Sequence, residues 1–138
     1  MKDAGHREAV RATLDFESCG RTPVNNFAVV TAARYAGITV DEARWTPSVS
    51  AKVAVDYAMA TESDFVKPVL DSQVPLKDMG MTVRFPEDDY GSVPGHIVDG
   101  PEDIDKLHIF DPDNASECPG FTSIREAHAC TASIHPED

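Results

Sequence analysis

The sequence predicts an α/β fold in which apolar strands alternate with helices. Two runs rich in valine and phenylalanine, residues 23–30 and 64–70, have the composition of buried strands. The segments around them space their apolar residues as helices do and carry helix start and stop signals. The chain of 138 residues is long enough for one domain with a sizeable core.

The first half of the chain predicts three helices around one strand. Residues 3–16 place apolar side chains along one side of a helix, and the strand 23–30 follows. A short helix at 31–35 ends at a glycine. The pair Thr46-Pro47 is a strong helix start, because a hydroxyl cap precedes a proline in the first turn, so we expect a helix over 47–61.

The second half predicts shorter elements. These are a strand at 64–70, a helix at 74–79, strands at 81–85 and 95–98, a helix that begins at Pro101, and a helix at 124–130. A parallel sheet with only two or three main strands would leave an apolar edge open. We therefore expect Val29, Val30, Val66 and Val69 to be poorly covered on one side, and the chain to self-associate or to pair with a second chain.

The overall charge excludes two classes of partner. The chain has 12 basic and 24 acidic residues, for a formal net charge of −12. This balance argues against nucleic acid and against an anionic membrane surface, because both attract basic patches. The N-terminus lacks the apolar core of a signal peptide, which predicts a cytoplasmic location. Three cysteines without repeated spacing predict reduced thiols.

The acidic residues are concentrated in the last third of the chain. Residues 86–138 hold 13 acidic and 2 basic residues, together with six of the ten prolines. We interpret residues 1–112 as the organised part of the chain, and residues 113–138 as an acidic tail without a clear assignment.

Four stretches, in this order and spacing, resemble the start of the uroporphyrinogen decarboxylase superfamily, which includes the corrinoid-dependent methyltransferases. They are Arg21-Thr22-Pro23-Val24; Tyr35-Ala36-Gly37-Ile38 with the Pro47 helix and Asp64-Phe65-Val66; Asp71 followed by Gly80-Met81; and His96-Ile97-Val98 followed by residues 101–107 and Asp111-Pro112. The resemblance covers the N-terminal portion of such a protein and fades after Asp113.

This resemblance implies an incomplete (β/α)₈ TIM barrel, represented by its first βα units in residues 1–112. The implied activity is that of the methyltransferase branch, methyl transfer from a methylated corrinoid protein to a thiol, with the chain inactive alone. Uroporphyrinogen decarboxylation in tetrapyrrole biosynthesis is one alternative, and a non-catalytic α/β binding module is another. A corrinoid protein would be a partner of the methyltransferase.

The resemblance also implies candidate site residues. Asp71 matches the aspartate that the decarboxylase places at the end of its second strand, facing the pyrrole nitrogens, and is the catalytic candidate. Arg34 corresponds to a substrate-binding arginine only if two residues are inserted, and a solvated charge at a helix end is the alternative. Asn25 is a candidate for the mouth of a pocket. Asp71 could equally be the N-cap of the 74–79 helix.

The family's zinc site has no clear counterpart in the sequence. The methyltransferases bind zinc through a His-x-Cys pair and a later cysteine, which makes the thiol substrate a thiolate. The chain contains His128-Ala129-Cys130, but no apolar strand leads into it. We therefore expect no metal or cofactor in this chain, while the family implies zinc and a corrinoid partner.

Overall fold

The computed structural model describes residues 5–68 and 71–134, and the regular secondary structure elements among them are helices. In chain order these are α1 (His6–Leu14), α2 (Val29–Ala36), α3 (Val40–Trp45), α4 (Pro47–Ala60), α5 (Val74–Asp78), a 3₁₀ helix (Pro101–Lys106) and α6 (Pro119–Ile134). Over these residues no strand ladder forms, and an isolated antiparallel bridge joins Arg84 to Ser92. The predicted strands at 23–30, 64–70, 81–85 and 95–98 are therefore wrong as regular strands wherever the structure describes them.

Two of the predicted strands correspond to non-helical segments that lie side by side. We call residues 22–28 segment A and residues 63–68 segment B. The Asp64 amide donates to the Val24 carbonyl over 2.8 Å, and the Asn26 amide donates to Ser63 Oγ over 3.2 Å. These contacts hold the segments together, but they do not form a ladder. Two short segments without further neighbours make at best a marginally stable sheet.

Helix α2 begins inside the predicted first strand. Val29, Ala32 and Ala33 are buried at the i, i+3, i+4 spacing of a helix face, and Gly37 ends the helix with a left-handed φ of 72°. Val29 is only 4% exposed, so the prediction that it would be poorly covered is wrong. Val30 and Val66 are half-buried, and Val69 lies outside the described residues.

The predictions for α1 and α4 are confirmed, whereas α3 was not predicted. Helix α4 starts at Pro47, with Thr46 as its N-cap residue, as the Thr-Pro pair indicated. Helix α3 begins after Thr39, whose side chain accepts a hydrogen bond from the Glu42 amide over 3.1 Å. That Thr-x-x-Glu pattern was visible in the sequence as a helix start.

Helix α6 belongs to the packed body of the protein. It covers more than the predicted 124–130 and packs on α4 more extensively than any other described pair of elements pack together. The Asp78 carboxylate of α5 accepts the amides of Gly120 and Phe121 over 3.2 and 2.8 Å, which fixes the start of α6. Ala127 and Thr131 are buried. Part of the predicted acidic tail, residues 119–134, is therefore a helix that packs against the rest of the protein.

None of the helices that the structure describes is long and apolar enough to cross a membrane. The three cysteines, Cys19, Cys118 and Cys130, are free, which agrees with the predicted reduced thiols.

Candidate functional site

Asp71 follows segment B and lies in the interior of the protein. It is only 2% exposed. Its Oδ1 accepts the Gln73 amide over 3.0 Å, and its Oδ2 accepts Arg44 Nε over 3.0 Å and the Gly91 amide over 2.6 Å. Three donors from three parts of the chain thus converge on one carboxylate, which satisfies it within the protein.

Arg44 of α3 is the charged partner of this carboxylate. Its side chain is 1% exposed and also donates to Asp41 Oδ1 over 2.7 Å. Its remaining bonds reach two carbonyls of the long connection between α5 and α6, those of Pro86 over 3.2 Å and Asp89 over 2.5 Å. The guanidinium carbon lies 4.9 Å from the centre of the Phe85 ring. Arg44 therefore ties α3, Asp71 and the connection into one unit, which we call the Arg44 clamp.

Gly91 allows the connection to approach Asp71 closely. A Cβ at this position would lie 2.9 Å from the Cβ of Gln73 and 2.9 Å from Phe85 Cε1. Real side chains do not sit this close to their neighbours, so a larger residue would push the Gly91 amide away from Asp71. The connection also bonds to α3 through the Asp41 amide, which donates to the Glu87 carbonyl over 2.8 Å.

The structure tests one of the two interpretations of Asp71, that it is the N-cap of the helix at 74–79. Helix α5 has Gln73 as its N-cap residue, without a side-chain cap bond, so the N-cap interpretation is wrong. The Gln73 amide instead closes a tight Asx turn on the Asp71 carboxylate. The surroundings of Asp71 are polar, and the protein's own donors supply them.

The other two candidate residues lie on the surface of the protein, whereas Asp71 is buried. Asn25 is an exposed residue of segment A, and Arg34 is an exposed residue in the last turn of α2. A cation in the last turn of a helix interacts favourably with the helix dipole, which is the structural role the sequence allowed for Arg34. Across the described residues, the hydrogen bonds of Asp71 come from Arg44, Gln73 and Gly91 and from neither of these candidates.

A second carboxylate centre, at Asp64, was not predicted. Its side chain is fully buried and accepts two hydrogen bonds from Arg21, with Nη1 to Oδ2 at 2.7 Å and a shorter one from Nη2 to Oδ1. His6 Nδ1 lies 2.8 Å from Oδ1, and the Val24 amide donates to Oδ2 over 2.7 Å. The bonds from Arg21, followed by those from Val24 and His6, hold the pKa of Asp64 well below its ordinary value against the opposing effect of burial.

The sequence did contain a signal for this second centre. Arg21 directly precedes segment A, and Asp64 is the second residue of segment B. Because neighbouring parallel strands begin at the same edge of a sheet, an arginine and an aspartate at two strand starts are placed to meet.

The residues of the His-x-Cys motif do not fit a zinc site. His128 and Cys130 are both within α6. Residues two positions apart on a helix are separated by about 200° around its axis, so their side chains leave from different sides. Within residues 5–68 and 71–134, no group of three or more histidine, cysteine, aspartate or glutamate side chains is arranged to hold a metal ion.

Comparison with known proteins identifies a matching family and a similar structure. The profile of the family described as Uroporphyrinogen decarboxylase (URO-D) matches residues 6–133, well past the end of the four motif stretches. No curated protein matches the chain. A structure of a methyltransferase from Methanosarcina mazei is similar, with a TM-score of 0.75 and 20% identity. The match covers 96% of this chain and 40% of that methyltransferase.

The similarity to this structure shows the fold, and the family match shows the relationship. Both imply a TIM-barrel-like fold. Because the family profile matches residues 6–133 of this chain, the chain belongs to the uroporphyrinogen decarboxylase family.

Proposed function

We propose that this chain is the N-terminal part of a barrel of the methyltransferase branch, which transfers a methyl group from a methylated corrinoid protein to a thiol and needs the remainder of the barrel for activity. The observation that carries the proposal is the structural similarity to the Methanosarcina mazei methyltransferase, which extends over only 40% of that protein. Segments A and B, which make few mutual bonds and no ladder within the described residues, are consistent with strands that lack neighbours.

The two carboxylate centres occupy opposite ends of the barrel in this proposal. Asp71 follows segment B and therefore lies at the end where barrel enzymes build their active sites. Asp64 begins segment B and lies at the opposite end, where residues serve stability. The Arg21–Asp64 pair is therefore a structural tie, and the active site lies on the Asp71 side.

At the Asp71 end, the Arg44 clamp acts as a positioning device. The carboxylate is held by Arg44 and the Gly91 amide. The main effect of substituting Asp71 is therefore to displace the connection around residues 85–91, and not to remove a contact with the substrate. Arg34 and Asn25 are exposed and remain free to reach a substrate in the completed barrel. We propose these two as substrate-binding residues and Asp71 as the residue that holds the active-site end together.

The described residues do not provide a zinc site, so the proposal assigns the metal ligands and the corrinoid contact to the remainder of the barrel. The chain's own contribution is the frame around the site. Activity is then a property of the assembled barrel, and neither part alone is expected to transfer methyl groups.

The experiment is to purify the tagged chain from its native cells and to identify what accompanies it by mass spectrometry. The proposal expects a polypeptide with the later barrel strands and a His-x-Cys motif after an apolar strand. The assembled complex, supplied with methylcobalamin and 2-mercaptoethanol, should lose the methylcobalamin spectrum, while each part alone should not. Release of CO₂ from uroporphyrinogen by the complex would instead support decarboxylation.

A second candidate function is a non-catalytic binding module. The observation that favours it is that Asp71, the strongest catalytic candidate, is only 2% exposed and already accepts three hydrogen bonds from protein donors. This alternative predicts a monomer that unfolds cooperatively and purifies without a barrel partner. Analytical ultracentrifugation and calorimetry of the chain alone would distinguish it from the first proposal.

A further inference from the structure

A groove of about 630 Å³ opens beside Asp64. This volume lies within the range of small-molecule binding sites. Part of the lining is apolar and comes from α4, segment B and α6, with Val55, Met59, Val66 and Ala132 among its residues. The polar part of the lining consists of His6, Glu62, Ser63, Asp64, His128 and Thr131. A lining of this mixed kind fits a ligand that has an apolar body and a polar head.

Three of the polar lining residues are already satisfied within the protein. The hydroxyl groups of Ser63 and Thr131 each donate to a backbone carbonyl, over 2.9 and 2.8 Å. The side chain of Asp64 is fully buried and accepts hydrogen bonds from Arg21 and from the Val24 amide. Recognition of a ligand therefore depends on the other polar residues of the groove.

Asp64 fixes the orientation of one of these residues, His6. The bonds from Arg21 lower the pKa of Asp64, so its carboxylate stays ionised and can only accept hydrogen bonds. His6 Nδ1 lies 2.8 Å from Oδ1 of this carboxylate and therefore donates to it. In the neutral ring Nε2 is then an acceptor, and it makes no hydrogen bond to any residue that the structure describes. Asp64 is thus a positioning residue that leaves His6 with one free acceptor.

Glu62 supplies a second acceptor at the groove. Its side chain makes no hydrogen bond or ion pair with the residues described by the structure. Its φ of 51° is left-handed, a conformation that residues other than glycine rarely adopt. Such a residue lowers stability, and residues of this kind are concentrated at functional sites. The backbone conformation is therefore consistent with a use for the Glu62 carboxylate.

We propose that this groove binds an organic ammonium cation with an apolar body, whose N–H groups donate to the Glu62 carboxylate and to His6 Nε2. Both free groups are acceptors, so the ligand has to bring the donors. An anionic ligand would be repelled by Glu62 and by a chain with a net charge of −12. The apolar body would cover Val55, Met59 and Val66. This inference goes beyond the proposed function, because it involves no step of methyl transfer.

The test uses the full chain and three ligands that share one carbon skeleton. At neutral pH, 4-phenylbutylamine is a cation, 4-phenylbutanol is neutral and 4-phenylbutanoate is an anion. Two-dimensional NMR follows the imidazole signals of the histidines during each titration. We expect saturable shifts of the His6 and His128 signals with the amine, and binding of the alcohol that is weaker by about tenfold. The anion should leave these signals unchanged.

Two matched pairs of substitutions locate the site. Glu62→Gln removes the charge with little change of shape and should weaken binding of the amine by about tenfold. Glu126→Gln, at an exposed glutamate of α6 outside the groove lining, makes the same change of net charge and should leave binding unchanged.

The second pair tests the histidine. His6→Ala removes the Nε2 acceptor and should also weaken binding of the amine by about tenfold. The control is His96→Ala, because His96 is also paired with an aspartate, Asp99, but lies outside the groove lining. Far-ultraviolet circular dichroism of all four variants checks that the helices are intact.

Three results would overturn the proposal. They are the absence of saturable binding of the amine, binding of the alcohol or the anion as tight as that of the amine, and amine binding that survives Glu62→Gln or His6→Ala. Amine binding by a protein whose assembled complex transfers no methyl group would retain this site and reject the proposed function. Methyl transfer by a complex that binds no amine would do the reverse.

Discussion

Replacement of Asp71 by alanine tests the Arg44 clamp. The substitution removes the charged partner of Arg44, whose side chain is 1% exposed, and leaves the amides of Gln73 and Gly91 without their acceptor. Breaking a buried ion pair by removing one partner costs about 3–5 kcal/mol. The remaining bonds of Arg44 to Asp41 and to two carbonyls offset part of the cost of burying its unpaired charge. We therefore expect Asp71→Ala to lower the free energy of unfolding by about 3 kcal/mol.

The assay is urea unfolding followed by circular dichroism. With a slope of about 2 kcal/mol per molar urea, a loss of about 3 kcal/mol lowers the midpoint by about 1.5 M. The control is Asp88→Ala in the same connection, where an exposed aspartate should change stability by less than about 0.5 kcal/mol. If Asp71→Ala unfolds within about 0.3 M of the parent, or is more stable, the clamp is refuted and a ligand-facing role is supported.

Three further substitutions test other parts of the structure. Glu62 follows α4 with a left-handed φ of 51°, so Glu62→Gly should raise thermal stability by about 1 kcal/mol, whereas Glu17→Gly, without a positive φ, should give no such gain. Gly120→Ala would place a Cβ 2.5 Å from a valine side chain of α5 and should cost about 1–3 kcal/mol, whereas Gly95→Ala, with open space around it, should be nearly neutral. Asp64 has a lowered pKa in the folded state, so its stabilising effect is present above the unfolded value of about 3.9 and is lost as the pH falls below it. In the parent protein the free energy of unfolding in urea should therefore decline between about pH 5 and pH 2, and in Asp64→Asn it should decline less. The same decline in both proteins would contradict the conclusion that Asp64 causes it.

Local signals in the sequence predicted part of the helical structure. The Thr46-Pro47 start of α4 and the glycine that ends α2 each act within a single turn, so the residues themselves contain the information. The start of α3 at Thr39 carries an equally local signal, the Thr-x-x-Glu pattern.

The strands could not be predicted in the same way, because a strand depends on its neighbours. Segments A and B have strand-like composition, but their backbone groups need partners from other segments to form a ladder. Val29 illustrates the consequence: it was assigned to a strand by composition, and it packs instead in the core as the first residue of α2. The family resemblance singled out Asp71 as a site residue, and that role stays a prediction. Its partner Arg44 could not be predicted, because 27 residues separate the two in the chain.

The most direct test of the proposed function is the methyl-transfer reaction of the assembled barrel. The chain and the polypeptide that completes it are mixed with methylcobalamin and 2-mercaptoethanol, and the loss of the methylcobalamin absorbance is followed over time. The account predicts demethylation that requires both polypeptides and yields the methyl thioether. Demethylation by either polypeptide alone, or an assembled complex that removes carboxyl groups from uroporphyrinogen and leaves methylcobalamin intact, would contradict it.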